Sequence, residues 1–430
     1  RTYNKTVCFY FQVHQPYRLK NYNFFSEDKD YFKGPENAFN IDIFAKVANK
    51  CYLPANKVML ELLEKHPEFK ISFSLSGVFL EQCLSFGEIG DQVLKSFQKL
   101  VDTGRVELLS ETYYHSLTFL YSKEDYAQQI IKHRKLIEKI FGYKTKVFRN
   151  TELIYNNELA NFVKQLGFSG MLMEGWDKVV NWGKQHFVMQ PVNSDLHLED
   201  KKVAEAYAIN KVKDSFGLLL KDYRLSDDIA FRFGNKGWKE FPLTTNKYAD
   251  WLNNLLGDTI NLFMDYETFG EHQWEDTGIF NFLRSLPAAL LTHNIGFKTP
   301  SETLEDYSKQ GEIDCNDFIS WADEQRDLSA WTGNKLQDSA IQAISELETY
   351  IYDLKKSRKK DVIELVDQWR KMQTSDHFYY MCLKYWSDGD VHKYFSPYES
   401  PYEAYISYMN VLADLKQKIL TAHNNYLKNA

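Results

Sequence analysis

Along the first two-thirds of the chain, short runs of β-branched and aromatic residues alternate with longer amphipathic stretches. The short runs predict strands at residues 7–13, 70–76, 106–110, 146–149, 170–173, 216–220 and 259–264. The stretches between them predict helices that include 56–65, 89–103, 123–141, 156–166 and 247–256. Gly104, Gly142 and Gly167 stand where such helices stop. Strand and helix in strict alternation predict a parallel sheet, and about seven such units predict a barrel or an open doubly wound sheet. No GxGxxG opens a helix after the first strand, which argues against a dinucleotide-binding fold.

After about His293 the alternation stops, and the pattern turns helical at 316–324, 335–356, 361–372, 375–384 and 401–418. In the last of these, Ile406, Met409, Val411, Leu412 and Leu415 recur at near-helical spacing. The expected division is a catalytic part over 1–300 and a helical part over 301–430 that completes the cleft. No internal repeat or low-complexity linker separates them, so the two are expected to dock closely.

Composition narrows the function classes. With 52 basic and 59 acidic residues the formal charge is -7, and no basic block is dense enough to neutralise a run of phosphates. Nucleic acid is not an expected partner. No apolar run reaches the roughly 20 residues that cross a bilayer, and the first seven residues lack the apolar core of a signal peptide, so no membrane partner and a cytoplasmic location are expected. Five scattered cysteines fit neither a disulfide framework nor a CxxC zinc site, and read as reduced packing residues. Aromatic content is high, with 28 Tyr, 30 Phe and 9 Trp, which suits stacking on sugar rings and equally an aromatic core.

In a parallel barrel the chemistry gathers at the C-terminal ends of the strands. Those positions hold His14-Gln15-Pro16, Ser76-Gly77, Glu111 to His115, Arg149 to Glu152, and Asp265-Tyr266-Glu267. Glu152 and Asp265, from different strands, would meet over the barrel mouth as the carboxylate and carboxylic acid that glycoside hydrolysis needs. A carboxyl separation of about 5 to 6 Å is expected for retention. Glu267 either holds the proton donor, binds sugar hydroxyls or makes a structural salt bridge. His272 and Trp274 are candidates for a subsite, Glu174 and Trp176 for a sugar platform or lid. His115, Arg224 and Asp228 follow strand-like runs and are substrate-contact candidates, whereas His377 and His392 read as core or surface histidines.

Five segments then resemble the signature regions of glycoside hydrolase family 57. They are Phe11-Gln12-Val13-His14-Gln15-Pro16, Gly77-Val78-Phe79-Leu80-Glu81, Phe148-Arg149-Asn150-Thr151-Glu152, Phe263-Met264-Asp265-Tyr266-Glu267-Thr268-Phe269-Gly270, and Ser329-Ala330-Trp331-Thr332-Gly333-Asn334-Lys335-Leu336-Gln337. The stretches from Thr374 to Gly389 and from Phe395 to Leu412 resemble the α-amylase-like members. The resemblance implies an incomplete (β/α)7 barrel followed by a helical C-terminal domain, acting on α-glucans or maltooligosaccharides with retention and without metal or cofactor. It assigns Glu152 as nucleophile and Asp265 as acid/base, and places His14 and Trp331 on substrate-binding positions. With the residues above, the expected substrate-binding set is His14, Gln15, Gly77, His115, Arg224, Asp228, Glu267, His272 and Trp331. The rivals are a 4-α-glucanotransferase or branching enzyme, a catalytically silent glucan-binding protein, and a zinc-dependent mannosidase or deacetylase. The last needs clustered His and Asp ligands, and no HxD or HxH occurs.

Overall fold

The computed structural model describes residues 2–23, 25–26, 30–32, 38–384 and 396–429. The strands are β1 Lys5–Val13, β2 Ile71–Leu75, β3 Val106–Leu108, β4 Val147–Phe148, β5 Gly170–Glu174, β6 Gln190–Pro191, β7 Gly217–Lys221, β8 Thr259–Asp265, β9 Ile295–Phe297 and β10 Glu312–Ile313. Every named pairing is parallel. One sheet runs β3-β2-β1-β8 and another β4-β5-β7. On one side they are joined by a single parallel bridge, Ser110 to Phe148. On the other side Asp222 N donates to Asn261 O at 2.9 Å and Asn261 Nδ2 to Leu220 O at 2.8 Å. The result is a seven-stranded ring closed by isolated contacts instead of full ladders: an incomplete barrel.

The strand periodicity explains how that ring is filled. Side chains alternate across a strand, and both faces of β1 are buried. Val7, Phe9, Phe11 and Val13 pack outward into the helical shell, while Cys8 and Tyr10 face inward with Leu109, Val147, Leu172, Leu219 and Phe263. Two residues further along each strand, the inward register passes from apolar to polar: Tyr10 to Gln12, Val147 to Arg149, Leu172 to Glu174, Leu219 to Lys221 and Phe263 to Asp265. An apolar plug at one end thus carries a charged layer at the other.

Several expectations change. Past His293 the alternation continues for one more unit, because β9 pairs with the first residues of β1, below the stretch that β2 occupies. No helix forms over 316–324. There Cys315, Ile319 and Trp321 exchange backbone hydrogen bonds with Glu152, Tyr155 and Asn157, and this tertiary pairing overrides local propensity. The predicted helix 335–356 divides at Leu347 into Lys335–Glu346 and Glu348–Leu354. The helix read at 375–384 is only Ser375–Tyr379, and the last one extends to Asn429. Helix Lys123–Phe141 stands at its predicted limits, capped by the Ser122 hydroxyl and ended by Gly142 at φ 63°. The five cysteines are free and buried. Among the described residues no helix is long and apolar enough to cross a membrane.

Gly77 begins the helix Gly77–Ser85, and a Cβ there would lie 2.4 Å from the Tyr113 ring. Gly77→Ala is expected to lower stability by about 1–3 kcal/mol through overpacking, read by calorimetry as a fall in Tm. An unchanged Tm would show that the ring moves aside freely.

Candidate active site

A cavity of about 440 Å³ opens over the charged layer and is lined by Glu152, Asp265, Glu267, His14, Gln15, His115, Lys221, His272, Trp321 and Trp331, among others. Glu152 follows β4 in a short turn at φ 58°, ψ 23°, the left-handed region that a non-glycine residue occupies at a cost. His115, at φ 50°, shares that conformation. The two strained residues are bonded to each other, His115 Nε2 to Glu152 Oε1 at 3.1 Å. Ser375 Oγ donates to the same oxygen at 3.0 Å, and Trp321 Nε1 donates to Oε2 at 2.7 Å. The Trp321 backbone N–H also holds the Glu152 carbonyl, at 3.2 Å.

Of these donors, His115, together with Arg149, bears on the charge of Glu152. Burial pushes its pKa up, but the His115 hydrogen bond and the charges of His115 and Arg149 prevail and hold it below the ordinary value. For His115 burial alone would favour the neutral ring. Its bonds to Glu111 Oε1, at 3.2 Å, and to Glu152, with the charges of both, instead lift it to about 10. It is therefore an imidazolium donating from both nitrogens. Glu111 is drawn down to about 2, its burial outweighed by the His115 hydrogen bond and by the charges of His115, His133 and Arg149.

Asp265 behaves oppositely. Burial first, and the negative charge of Glu152 second, raise it to about 6, against the pull of Arg149, His115 and Lys221. β8 ends at Asp265, and Tyr266–Thr268 forms a 3₁₀ turn, so Glu267 does not continue the strand. It still reaches the cavity, where burial and the Asp265 charge raise it to about 8. Tyr52 Oη donates to Glu267 Oε1 at 2.5 Å, and Gln15 Nε2 donates to Tyr52 Oη at 3.0 Å.

His14 stacks on His115 with ring centroids 4.0 Å apart. Its Nδ1 meets Ser76 Oγ and its Nε2 meets Asp376 Oδ1, both at 2.7 Å. Burial and the His115 charge lower its pKa. His14, His115 and Asp376 bring one ligand atom each within 4.8 Å of one another, a grouping that sequence spacing could not reveal. All four ring nitrogens of the two histidines are hydrogen-bonded in this structure, those of His115 to Glu111 and Glu152 and those of His14 to Ser76 and Asp376.

The other sequence candidates divide. His272 lines the cavity, with burial pushing it down to about 4. Trp331 touches the cavity but is 2% exposed, mostly inside the core shared with the helical region. Gly77, Arg224 and Asp228 do not line it. Arg224 is paired with Asp177 at 2.6 Å and lies over the Trp182 ring, and Asp228 is paired with Arg232 at 2.6 Å. Glu174 is buried beside Lys221 and Arg326, while Trp176 and Trp274 stand outside the cavity. His377 is buried, bonded to Lys371 O at 2.9 Å. His392, the stretch 387–389 and Phe395 lie outside the described residues.

The sequence does not single out Trp321, Lys221 and Tyr52, and it marks Ser375 and Asp376 only as part of the family-like stretch that begins at Thr374. Lys221 was within reach of the inward alternation that found Asp265. Trp321 and Ser375 lie 169 and 223 positions from Glu152, and no local pattern ties either of them to it.

Comparison with known proteins shows the family and the fold. The family described as Glycosyl hydrolase family 57 matches residues 8–316. A protein of Methanocaldococcus jannaschii, provisionally named alpha-amylase, is 42% identical over 433 residues, covering 98% of this chain and 87% of its own. The fold is shared with the branching enzyme of Pyrococcus horikoshii, at TM-score 0.68 and 13% identity over 98% of this chain and 94% of that one. It is also shared with the 4-alpha-glucanotransferase of Thermococcus litoralis, at TM-score 0.59 and 17% identity, where this chain is covered to 88% and spans just over half, 56%, of the other. A family match over most of the chain, joined to a relative 42% identical along nearly all of it, makes this protein a member of glycosyl hydrolase family 57.

Proposed function

We propose that the protein hydrolyses α-1,4-glucosidic bonds of glucans or maltooligosaccharides with retention, through a glycosyl-enzyme on Glu152. The observation that carries this reading is the split between two carboxyls of one cavity. His115 and Arg149 hold Glu152 below its ordinary value, while burial and the Glu152 charge raise Asp265 to about 6, so that at mildly acidic pH one carboxyl is ionised and the other carries a proton. In the first step Glu152 attacks the anomeric carbon while the Asp265 proton passes to the departing glycosidic oxygen. In the second, Asp265, now a carboxylate, takes a proton from water as that water attacks the same carbon and frees Glu152. His115, Ser375 and Trp321 fix the direction from which Glu152 attacks.

A sugar hydroxyl can replace water in the second step, which is the transferase or branching reading. It is favoured by the shared fold with proteins of those names. The charged pair argues against a silent glucan binder. No cofactor has a part in the two steps. A cytoplasmic setting belongs to the same proposal, supported by five free buried thiols, and the net charge of -7 speaks against nucleic acid as a partner.

Chromatography of products from maltoheptaose tests the reading: shorter sugars alone are expected, and a ladder above the starting length would replace hydrolase by transferase. Glu152→Gln is expected to reduce kcat by several orders of magnitude with Tm little changed; near wild-type turnover would place the nucleophile elsewhere.

The protonation states set the pH profile. The active form needs Glu152 ionised and Asp265 protonated, so kcat/KM is expected to fall as pH rises through the range from about 6 to about 8 in which Asp265 and Glu267 titrate. The residual activity of Asp265→Asn on a substrate with an activated leaving group would lack that falling limb. A limb that persists there would assign it to another group.

Trp321→Phe removes one donor to a charged carboxylate, an interaction worth about 1.5–3 kcal/mol. A loss of roughly 10- to 100-fold in kcat/KM is expected. The low-pH limb should move to higher pH, since the lost bond favoured ionised Glu152. Kinetics equal to wild type would make the indole a packing residue.

A further inference from the structure

Arg149 is among the largest fully buried side chains, and none of its three guanidinium nitrogens has a hydrogen-bond partner among the described residues. A buried cation left in that state is costly unless other charges compensate it. The alternation of β4 turns it inward, two residues after Val147 and three before Glu152. Its own backbone is pinned by a bond from Arg149 N to Ser110 O at 2.9 Å. The guanidinium carbon lies 4.6 Å from the centre of a Trp321 ring and 5.9 Å from that of Tyr10. Aromatic faces hold it there without neutralising it.

We propose that Arg149 is a positioning residue of this site: its fixed positive charge balances the one negative charge that moves from Glu152 to Asp265 when the glycosyl-enzyme forms and returns when it is resolved. The inference rests on Glu152 and Asp265 being the reacting pair. As the Glu152 oxygen bonds to the anomeric carbon, the bond to the leaving oxygen breaks and that oxygen takes the Asp265 proton. The pair carries one negative charge before and after, in a different place. Facing that pair are His115 beyond β3, Lys221 on β7, Glu267 beyond β8, Asp376 from the helical region, and Glu111. His115 acts on both carboxyls by its charge, and of the two it is hydrogen-bonded to Glu152. Arg149 is bonded to neither carboxyl, yet its charge favours the ionised form of both. A cation placed in this way need not reorganise as the charge moves.

The test compares Arg149→Met and Arg149→Lys in the full chain, by kcat/KM on maltoheptaose against pH together with Tm. Arg149→Met is expected to stay folded with Tm within a few degrees, because the guanidinium makes no hydrogen bond to lose. Both limbs should move to higher pH by about one pH unit or more, since an adjacent cation depresses a carboxyl by that much. Turnover should fall at least about tenfold. Arg149→Lys keeps the charge and should return both limbs most of the way. Limbs at their wild-type positions in Arg149→Met, whatever its Tm, would overturn the proposal and leave Arg149 a packing residue. If Arg149→Met does not fold, Arg149→Lys decides: wild-type limbs with turnover within about tenfold support the charge, and a folded but inactive enzyme overturns it. Glu152→Gln in the same assay keeps the two questions apart, because activity surviving there would overturn the choice of reacting pair and not the role of Arg149.

Discussion

Glu152 has to stay charged inside a cavity that, by burial alone, would discharge it. Much of the surrounding structure bears on that constraint. A neutral histidine would supply one donor and no charge, so His115 is itself held protonated by a second carboxylate, Glu111, behind it. Ser375 and Trp321 add the remaining donors from two other parts of the chain. Both His115 and Glu152 sit in left-handed backbone, a strain of order 1–3 kcal/mol each. Hydrogen bonds to a charged group, about 1.5–3 kcal/mol apiece, are of the size needed to hold such a conformation.

The barrel makes this possible through a change of polarity along its inner face. Apolar side chains from five strands close one end, and the next inward position on the same strands carries the polar groups. A wet interior would screen the interaction between Glu152 and Asp265 that sets their protonation apart; the dry layer beneath leaves it strong. Asp265 is thus raised first by its burial and second by its neighbour.

Side chains of the helical region reach the cavity because that region is bonded to the loops around it. Arg370 grips Asp125 with two bonds, at 3.0 and 2.9 Å. Tyr114 Oη donates to Asp367 at 2.5 Å, Thr374 Oγ1 to Tyr114 O at 2.7 Å, and Ser375 N to His115 O at 2.8 Å. This ladder sets Ser375 and His115 at a common height, so both reach the same oxygen of Glu152. The segment after β10 does the equivalent for Trp321, running antiparallel to the chain beyond Glu152.

Strand alternation, helix caps and strand-end carboxyls are local properties, and they were legible in the chain. The barrel strands, the helix between Ser122 and Gly142, and the pairing of Glu152 with Asp265 as candidates all follow from spacing of two or 3.6 residues and from the rule that parallel strands present chemistry at one end. Gly77, Arg224 and Asp228 satisfied the same rule, but near neighbours claim their surroundings: a Tyr113 ring in the first case, Asp177 and Arg232 in the others. Periodicity says which way a side chain points and not what meets it. Donors to the Glu152 carboxylate come from positions up to 223 residues away, and the segment carrying Trp321 even abandons the helix its own sequence favours. Which acid is charged and which keeps its proton depends on burial and on distant partners, and these exist only once the chain has closed around them.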